Sequence, residues 1–362
     1  MSIATRVLSP EQQHMYASER LVNFRLISKL VANRSPHVLS NKDLAPSELH
    51  LDLSRLGQLA ELAYSPLPIE IIFDSLDLFL SPGFPLEGYD ALKDSHFMTS
   101  FQGVVADLLA YVVYRPHSKQ LVMAISGTSS LLQATYTLRA NRLPHKAGKG
   151  CRVHSGFWQL YEGLKPQALD VLRECLEKNV VDEIVLTGHS MGGALCHLLA
   201  FDLLTDESNV VSNGMMLQVV TFGAPRCGNL LLVHCWRNII KDYRAQHGEN
   251  AIKEYAIKGY NDGVPSLPPV ALGFRHFAEK PLYYFHGQLY FVPEEESERA
   301  LFDCDTGGSP IVVLHPRGGH NYYSGRDMER ALRRMCWVKE LQAKDLVNWE
   351  ELYRTRRKGK FD

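Results

Sequence analysis

The feature that most constrains the fold is a serine set between two apolar runs, in the stretch IVLTGHSMGGALCHLLAF at residues 184–201. The first run has the length and the β-branched content of a short buried strand. Behind the serine, apolar residues recur at the spacing of a helix. The surrounding glycines remove side chains where a helix must begin close against a strand. The stretch therefore predicts a strand, a sharp turn and a helix, with the Ser190 hydroxyl exposed at the turn. From this stretch alone, a structural turn without a catalytic role remains the alternative.

Strands and helices alternate along most of the chain. In chain order the patterns predict a hairpin turning at 116–119, a helix at 155–177, the elements around Ser190, the strand LQVVTFGAP, a helix at 230–243, the strand EYAIKGY, a hairpin turning at 286–287, a last buried strand PIVVLH, and a helix at 326–341. Residues 66–100 are rich in Pro, Gly and Asp, and we expect loops there. This alternation is typical of an α/β fold with a mostly parallel central sheet and helices on both faces.

No internal repeat or linker divides the chain. We therefore expect one domain at 51–340, an N-terminal extension at 1–50 and a helical, basic C-terminal tail at 341–362.

Composition and charge exclude several classes of function. The net charge is −1, so no overall field favours nucleic acid. The longest apolar run, VVADLLAYVVY, is too short to span a bilayer and contains Asp107. Seven cysteines, an odd number without a Cys-x-x-Cys pair, suggest neither a disulfide framework nor a zinc site. The first residues lack an apolar signal region, so we expect a cytoplasmic protein with reduced thiols.

A serine hydroxyl is a weak nucleophile, and it needs a base and a carboxylate that orients the base. Such partners follow the serine in the order acid, then histidine, each after a later strand. Asp262 follows EYAIKGYN at a turn, which suits the acid, although an ordinary Asp-Gly turn would look the same. Four histidines come later, at 276, 286, 315 and 320. His320 lies in a glycine-rich loop before the last helix and is the first choice for the base, with His315 second.

A tetrahedral oxyanion needs two hydrogen-bond donors. The backbone N–H of Met191, directly after the serine, supplies one of them. The strand VMAIS ends before Gly127, and Thr128 is the candidate for the other.

These motifs together resemble those of the fungal-type class 3 lipase family. In order along the chain they are a strand ending in Gly-Thr, VHSGF, GHSMGGAL, TFGAPRCGN, NDGVPSLPP and GGHNYY. Their order and spacing match the family over about residues 56–335, and AELAYS also resembles its early helix. Two positions depart from the pattern: Ser126 stands where the family usually has Arg, and Gly263 where it often has Pro.

The resemblance implies an α/β-hydrolase fold with a lid segment over the active site. It implies Ser190 as nucleophile, Asp262 as orienting acid and His320 as base, with Thr128 and Met191 as the oxyanion hole. The expected activity is a serine carboxylic-ester hydrolase, a lipase acting on glycerolipids, without a metal or an organic cofactor. A phospholipase A1, a small-ester or feruloyl esterase, and a lipase-like interaction protein with little activity are the alternatives.

The segment at 129–152 corresponds to the lid of the resembled family. Its apolar start is followed by cations, and no Asp or Glu occurs between Leu108 and Tyr161. We expect this segment to contact an anionic membrane or a lipid-droplet surface peripherally. A solvated loop whose charges have no partner is the alternative.

Overall fold

The computed structural model describes residues 8–19, 24–128, 141–205, 210–211, 214–307, 313–344 and 348–358. A mostly parallel sheet with the strand order β13-β12-β10-β8-β7-β4-β3-β2 forms its centre. The neighbours from β12 to β4 run parallel, and antiparallel strands occupy both edges. The expectation of a mostly parallel α/β sheet is confirmed. The lid expected at 129–152 lies outside the described residues over 129–140.

The helices are α1 (Pro10–Ala17), α2 (Arg25–Val31), α3 (Ser47–Leu62), α4 (Ile69–Asp74), α5 (Leu76–Leu80), α6 (Ser155–Lys178), α7 (Met191–Thr205), α8 (Leu230–His247), α9 (Met328–Gln342) and α10 (Trp349–Lys358). The strands are β1 (Arg34–Leu39), β2 (His96–Gln102), β3 (Leu109–Arg115), β4 (Gln120–Ile125), β5 (Arg142–Pro144), β6 (Arg152–His154), β7 (Glu183–His189), β8 (Met216–Phe222), β9 (Gly228–Asn229), β10 (Ile252–Gly259), β11 (Phe274–Arg275), β12 (Pro281–Phe285), β13 (Gln288–Phe291) and β14 (Leu301–Cys304).

The sheet separates two hydrophobic clusters, because successive side chains of a strand point to opposite faces. Leu121 and Met123 of β4 face the cluster formed with α6, α7 and α8. Val122, between them, faces the cluster formed with α3, α9 and α10. Helices therefore cover both faces, and the sheet is held in place from two sides.

Two stretches differ from the sequence expectation. Residues 66–100 contain α4, α5 and the start of β2, with turns at 81–89 and 93–95, so the expectation of loops holds for only part of the stretch. Pro68 and Ser75 stand immediately before the two short helices, where a proline or a serine does not interrupt a helix. The strand expected at 310–315 is wrong in its described part: residues 313–315 form no strand, and Leu314 is 53% exposed. The continuous apolar run predicts a buried strand, whereas the Leu314 side chain lies at the surface. The two predicted hairpins are confirmed by the antiparallel pairs β3–β4 and β12–β13.

The buried carboxyl group of Glu254 lies between β10 and helices α7 and α8. The Trp236 indole N–H donates to Glu254, at 2.7 Å, and the Glu254 side chain has no exposed surface. His197 of α7 has its Nε2 3.6 Å from the same carboxyl oxygen. Burial raises the pKa of Glu254 to about 8, opposed by the indole N–H, and burial lowers the pKa of His197 to about 4. At neutral pH both groups are therefore mainly uncharged, and the contact is not an ion pair.

The Glu254 shift predicts that the protein loses stability at alkaline pH. A carboxyl whose pKa is higher in the folded than in the unfolded state favours folding fully below its unfolded pKa of 4.5. That contribution is lost as the pH rises through about 8. Because glutamine can still accept from Trp236 and cannot ionise, we expect Glu254→Gln to raise the Tm at pH 9 by about 2–4 °C relative to the wild type. Thermal unfolding at pH 5 and pH 9 measures this, and a variant without any advantage at pH 9 contradicts it.

Candidate active site

Ser190 lies at the junction of β7 and α7 in a strained turn. Its φ is 58°, the left-handed region that residues other than glycine rarely adopt. Its backbone N–H donates to the carbonyl of Phe222, at 2.8 Å, which ties the turn to the neighbouring strand β8. A Cβ on Gly188 would come within 2.5 Å of the Gly192 backbone, and one on Gly192 within 2.1 Å of the Ile125 oxygen. The glycines therefore let the helix begin against the strands, and the turn presents a half-buried serine at the carboxyl edge of the sheet.

Asp262 and His320 form a buried pair on the loops after β10 and before α9. The Nδ1 of His320 lies 2.9 Å from Oδ2 of Asp262. The same oxygen accepts the Tyr323 hydroxyl at 2.5 Å, and Oδ1 accepts the Val264 N–H at 2.8 Å. Asp262 has no exposed surface and His320 is 5% exposed. Several donors therefore satisfy the buried carboxyl group, which holds the imidazole in one orientation.

His189 and Tyr64 support the backbone of His320 and the turn at Ser190. The Nε2 of His189 lies 2.8 Å from the His320 carbonyl oxygen, and its Nδ1 lies 2.9 Å from the Tyr64 hydroxyl. Burial, reinforced by the nearby His320, holds the pKa of His189 well below its usual value, so this histidine is neutral. The Tyr64 hydroxyl also reaches Gly127 and Ser190: burial raises the pKa of Tyr64, and hydrogen bonds from these two residues oppose the rise. Neither residue was among the sequence candidates, because their roles depend on contacts between distant segments.

The two residues expected to form an oxyanion hole are neighbours. Thr128 follows β4 and is half-buried, and Met191 opens α7. The Thr128 hydroxyl lies 3.7 Å from the Met191 sulfur. The loop after β4 and the beginning of α7 therefore meet beside Ser190, where donors for a developing negative charge are required.

The remaining candidate histidines lie elsewhere. His315 stacks on Tyr322, with ring centroids 4.4 Å apart. Burial lowers the pKa of His315 to about 4, and electrostatic repulsion by His286 adds to the effect. The Nε2 of His276 lies 2.9 Å from the Pro265 carbonyl. His286 is at the tip of the β12–β13 hairpin. Of the four histidines, His320 is the one hydrogen-bonded to Asp262.

The described residues hold no cluster of three or more His, Cys, Asp or Glu side chains suited to bind a metal ion. Within the same ranges, no helix is both long and apolar enough to cross a membrane.

The class 3 lipase family matches residues 122–272, which include Ser190 and Asp262. Over these residues the chain resembles the class 3 lipase family. The chain is 29% identical to a lipase of Rhizopus niveus over 186 residues, 51% of this chain and 44% of the relative. It is 27% identical to a secreted mono- and diacylglycerol lipase of Fusarium solani over 200 residues, 55% of this chain and 54% of that one. It thus spans about half the length of the curated relatives that it matches.

Solved structures agree with this chain in fold. A fungal lipase–inhibitor complex matches with a TM-score of 0.59 and 22% identity, over 79% of this chain and 97% of the other. A triacylglycerol lipase, described as having a serine protease triad as its catalytic centre, matches with a TM-score of 0.57 and 21% identity, over 80% and 98%. At such identities the likeness establishes the α/β-hydrolase fold.

Proposed function

We propose that this protein hydrolyses carboxylic esters of glycerolipids, with Ser190 as nucleophile, His320 as base and Asp262 as orienting acid. The observation that carries the proposal is the strained Ser190 turn together with the buried Asp262–His320 pair, at 2.9 Å. These are the three roles that acyl transfer by a serine requires. The names of the relatives, which include a mono- and diacylglycerol lipase, support a glycerolipid as the substrate class.

The proposed reaction follows from which nitrogen of His320 is occupied. Because Asp262 holds Nδ1, Nε2 is the nitrogen that accepts the Ser190 proton as the serine oxygen attacks the ester carbonyl. The carbonyl oxygen becomes an oxyanion, for which the Met191 N–H and Thr128 are the donors. His320 then gives the proton to the leaving alcohol. Water attacks the acyl-enzyme by the same route, releasing the fatty acid and restoring Ser190.

A substrate panel tests the substrate class. We expect the protein to hydrolyse tri-, di- or monoacylglycerol emulsions faster than phosphatidylcholine or a feruloyl ester, because one of the relatives is named as a mono- and diacylglycerol lipase. Hydrolysis is measured by titration of released acid at equal protein concentration. A preference for the phospholipid or the feruloyl ester replaces the acylglycerol assignment, and no hydrolysis of any ester favours an interaction protein.

We further propose that the cations at 141–152 contact an anionic lipid surface. Arg142 and Lys149 are exposed. Lys146 has a different partner: its amine lies 3.1 Å from the carboxylate of Asp202, which has no exposed surface. The acid missing from the surrounding sequence is thus supplied by α7, and Lys146 is excluded from the proposed lipid contact. Each remaining cation contributes about 1 kcal/mol near an anionic membrane.

Charge reversal tests this contact. We expect the double variant Arg142→Glu with Lys149→Glu to lose about tenfold in activity on vesicles that contain anionic lipid, at low salt. Hydrolysis of a soluble short-chain ester should be unchanged, since the chemistry at Ser190 is not touched. Lys280→Glu is the matched control, because Lys280 is also exposed but lies before β12, at the amino ends of the parallel strands and away from the active-site edge. Equal activity of the wild type on neutral and anionic vesicles contradicts the proposal.

A further inference from the structure

The N-terminal segment, here residues 8–19 and 24–31, packs against the loop that carries His320. That loop, residues 313–323, is here called the base loop. The amide of Gln12 donates to the Val313 carbonyl, at 3.0 Å. The Arg317 backbone N–H donates to the Tyr16 hydroxyl, at 2.8 Å, and the Arg317 guanidinium lies 4.7 Å from the centre of the Tyr16 ring. The first turns of the chain thus contact the base loop about three hundred residues later in sequence.

A partly buried ion pair strengthens this contact. Arg25 pairs with Glu19, and their side chains are 21% and 11% exposed. Arg25 also donates to the Gly318 carbonyl, at 2.9 Å, and the Tyr322 hydroxyl donates to Glu19, at 2.5 Å. Charge-assisted hydrogen bonds of this kind are shorter and stronger than neutral ones, the more so away from water. The N-terminal segment is therefore bonded to the base loop on both sides of His320.

Phe24 covers the imidazole of His320. The two rings meet edge to face, with centroids 5.2 Å apart and planes at 77°. Phe24 has a φ of 59°, an unfavourable conformation for a bulky residue, which the contacts around it must maintain. The apolar ring removes water from one side of the base.

Helix α2 also packs on the turn after Asp262. A Cβ on Gly263 would lie 2.5 Å from the Phe24 carbonyl oxygen and 2.5 Å from the Ser28 nitrogen. Any side chain at 263 would push the helix away. The glycine that departs from the family pattern is thus matched to a helix lying directly on it, so one helix contacts the loops of both the acid and the base.

We propose that the N-terminal segment is part of the catalytic site, and that Phe24 is a positioning residue that holds and desolvates the His320 imidazole. The inference rests on the proposed serine hydrolase function. A base displaced by a fraction of an ångström, or surrounded by water, accepts the serine proton less well, while substrate binding changes little. The segment therefore supports the rate of the chemical step and not the capture of substrate.

The test compares Phe24→Ala, Phe24→Leu and Leu26→Ala on a soluble chromogenic short-chain ester. Leu26 lies two residues later, in α2, and is 68% exposed, which makes it the matched control. We expect Phe24→Ala to lower kcat about tenfold with KM within about twofold of the wild type. Phe24→Leu, which still covers the ring, should recover most of kcat, and Leu26→Ala should match the wild type.

The pH profile gives a readout that loss of stability alone would not move. The groups facing His320 are Asp262, His189 and Phe24; Tyr323 is bonded to the same Asp262 oxygen. Of these groups, Phe24 is the one that keeps water away from the imidazole. Phe24→Ala admits water, and water stabilises the protonated imidazole. The acid limb of the kcat profile should therefore move to higher pH. Tyr322→Phe, which removes only the hydroxyl that reaches Glu19, should lower kcat in the same direction by about twofold.

Several outcomes overturn the proposal. A rise of kcat in Phe24→Ala identifies the segment as an inhibitory cover. An unchanged kcat and pH profile in Phe24→Ala and Tyr322→Phe, with Tm values near the wild type, shows that the contact is only structural. If Phe24→Ala does not fold, Tyr322→Phe and Phe24→Leu decide, and an unchanged kcat in Tyr322→Phe then counts against it. Failure of the proposed function looks different: the wild type itself would hydrolyse no ester, or Ser190→Ala would remain active.

Discussion

Replacing Ser190 by alanine abolishes ester hydrolysis and leaves the protein folded: this is the largest effect that we expect. The change removes one oxygen from a half-buried turn, and the backbone bonds of residue 190 to Phe222 and Gly193 remain. Alanine at a φ of 58° is slightly less favourable than serine, so the Tm should fall by only a few degrees, if at all. Loss of a triad nucleophile costs on the order of 10⁴–10⁶ in rate.

The measurement is kcat/KM on a chromogenic short-chain ester, with circular dichroism and the Tm as controls for folding. Ser126→Ala is a useful comparison, because it too removes one serine hydroxyl near the active site, here a buried one. We expect that variant to remain within about tenfold of the wild type. A folded Ser190→Ala that keeps activity within the same range shows that another residue is the nucleophile.

The second large effect is expected at His320. His320→Ala removes the imidazole that is hydrogen-bonded to Asp262 and proposed to take the serine proton. We expect a loss approaching that of Ser190→Ala, about 10⁴-fold or more. His315→Ala should be mild, since His315 stacks on Tyr322 instead. The Tm of both variants is measured alongside kcat as a control for folding.

The pH dependence separates these two histidines further. In the wild type, kcat should rise as the pH increases through the deprotonation of the base, because only a neutral imidazole accepts a proton. His315→Ala should keep this profile. In the wild type, burial lowers the pKa of His315 to about 4, so this histidine is already neutral over the range in which the rate rises. A silent His320→Ala beside an inactive His315→Ala would reverse the assignment.

The sequence alone predicted the elements whose pattern is local. The strand, turn and helix around Ser190 needed only an apolar run, a glycine-bracketed serine and a helical spacing, and β7 and α7 have that order. The long helix at 155–177 was predicted within a residue of α6, because its apolar stripe is continuous. The candidates Asp262 and His320 followed from chain order and loop position. Their catalytic roles, and those of Thr128 and Met191, stay predictions until the variants are measured.

The tertiary structure decided what depends on distant partners. His189 and Tyr64 support the base through contacts that no spacing in the sequence encodes. Lys146, one of a run of cations without nearby acids, is bound to an aspartate of α7. Hydrophobic periodicity reports which face of an element is buried, but not which segment covers it.

The N-terminal segment illustrates the same limit at the active site. From the sequence it was an extension on the outside of the domain, and Gly263 was an unexplained departure from a family pattern. In the structure, α2 lies on Gly263 and Phe24 lies on His320. The sequence determined which residues could perform the chemistry, because nucleophile, acid and base must follow particular strands. Only the folded chain decided what surrounds them, because close packing between segments far apart in sequence depends on the shape of the whole core.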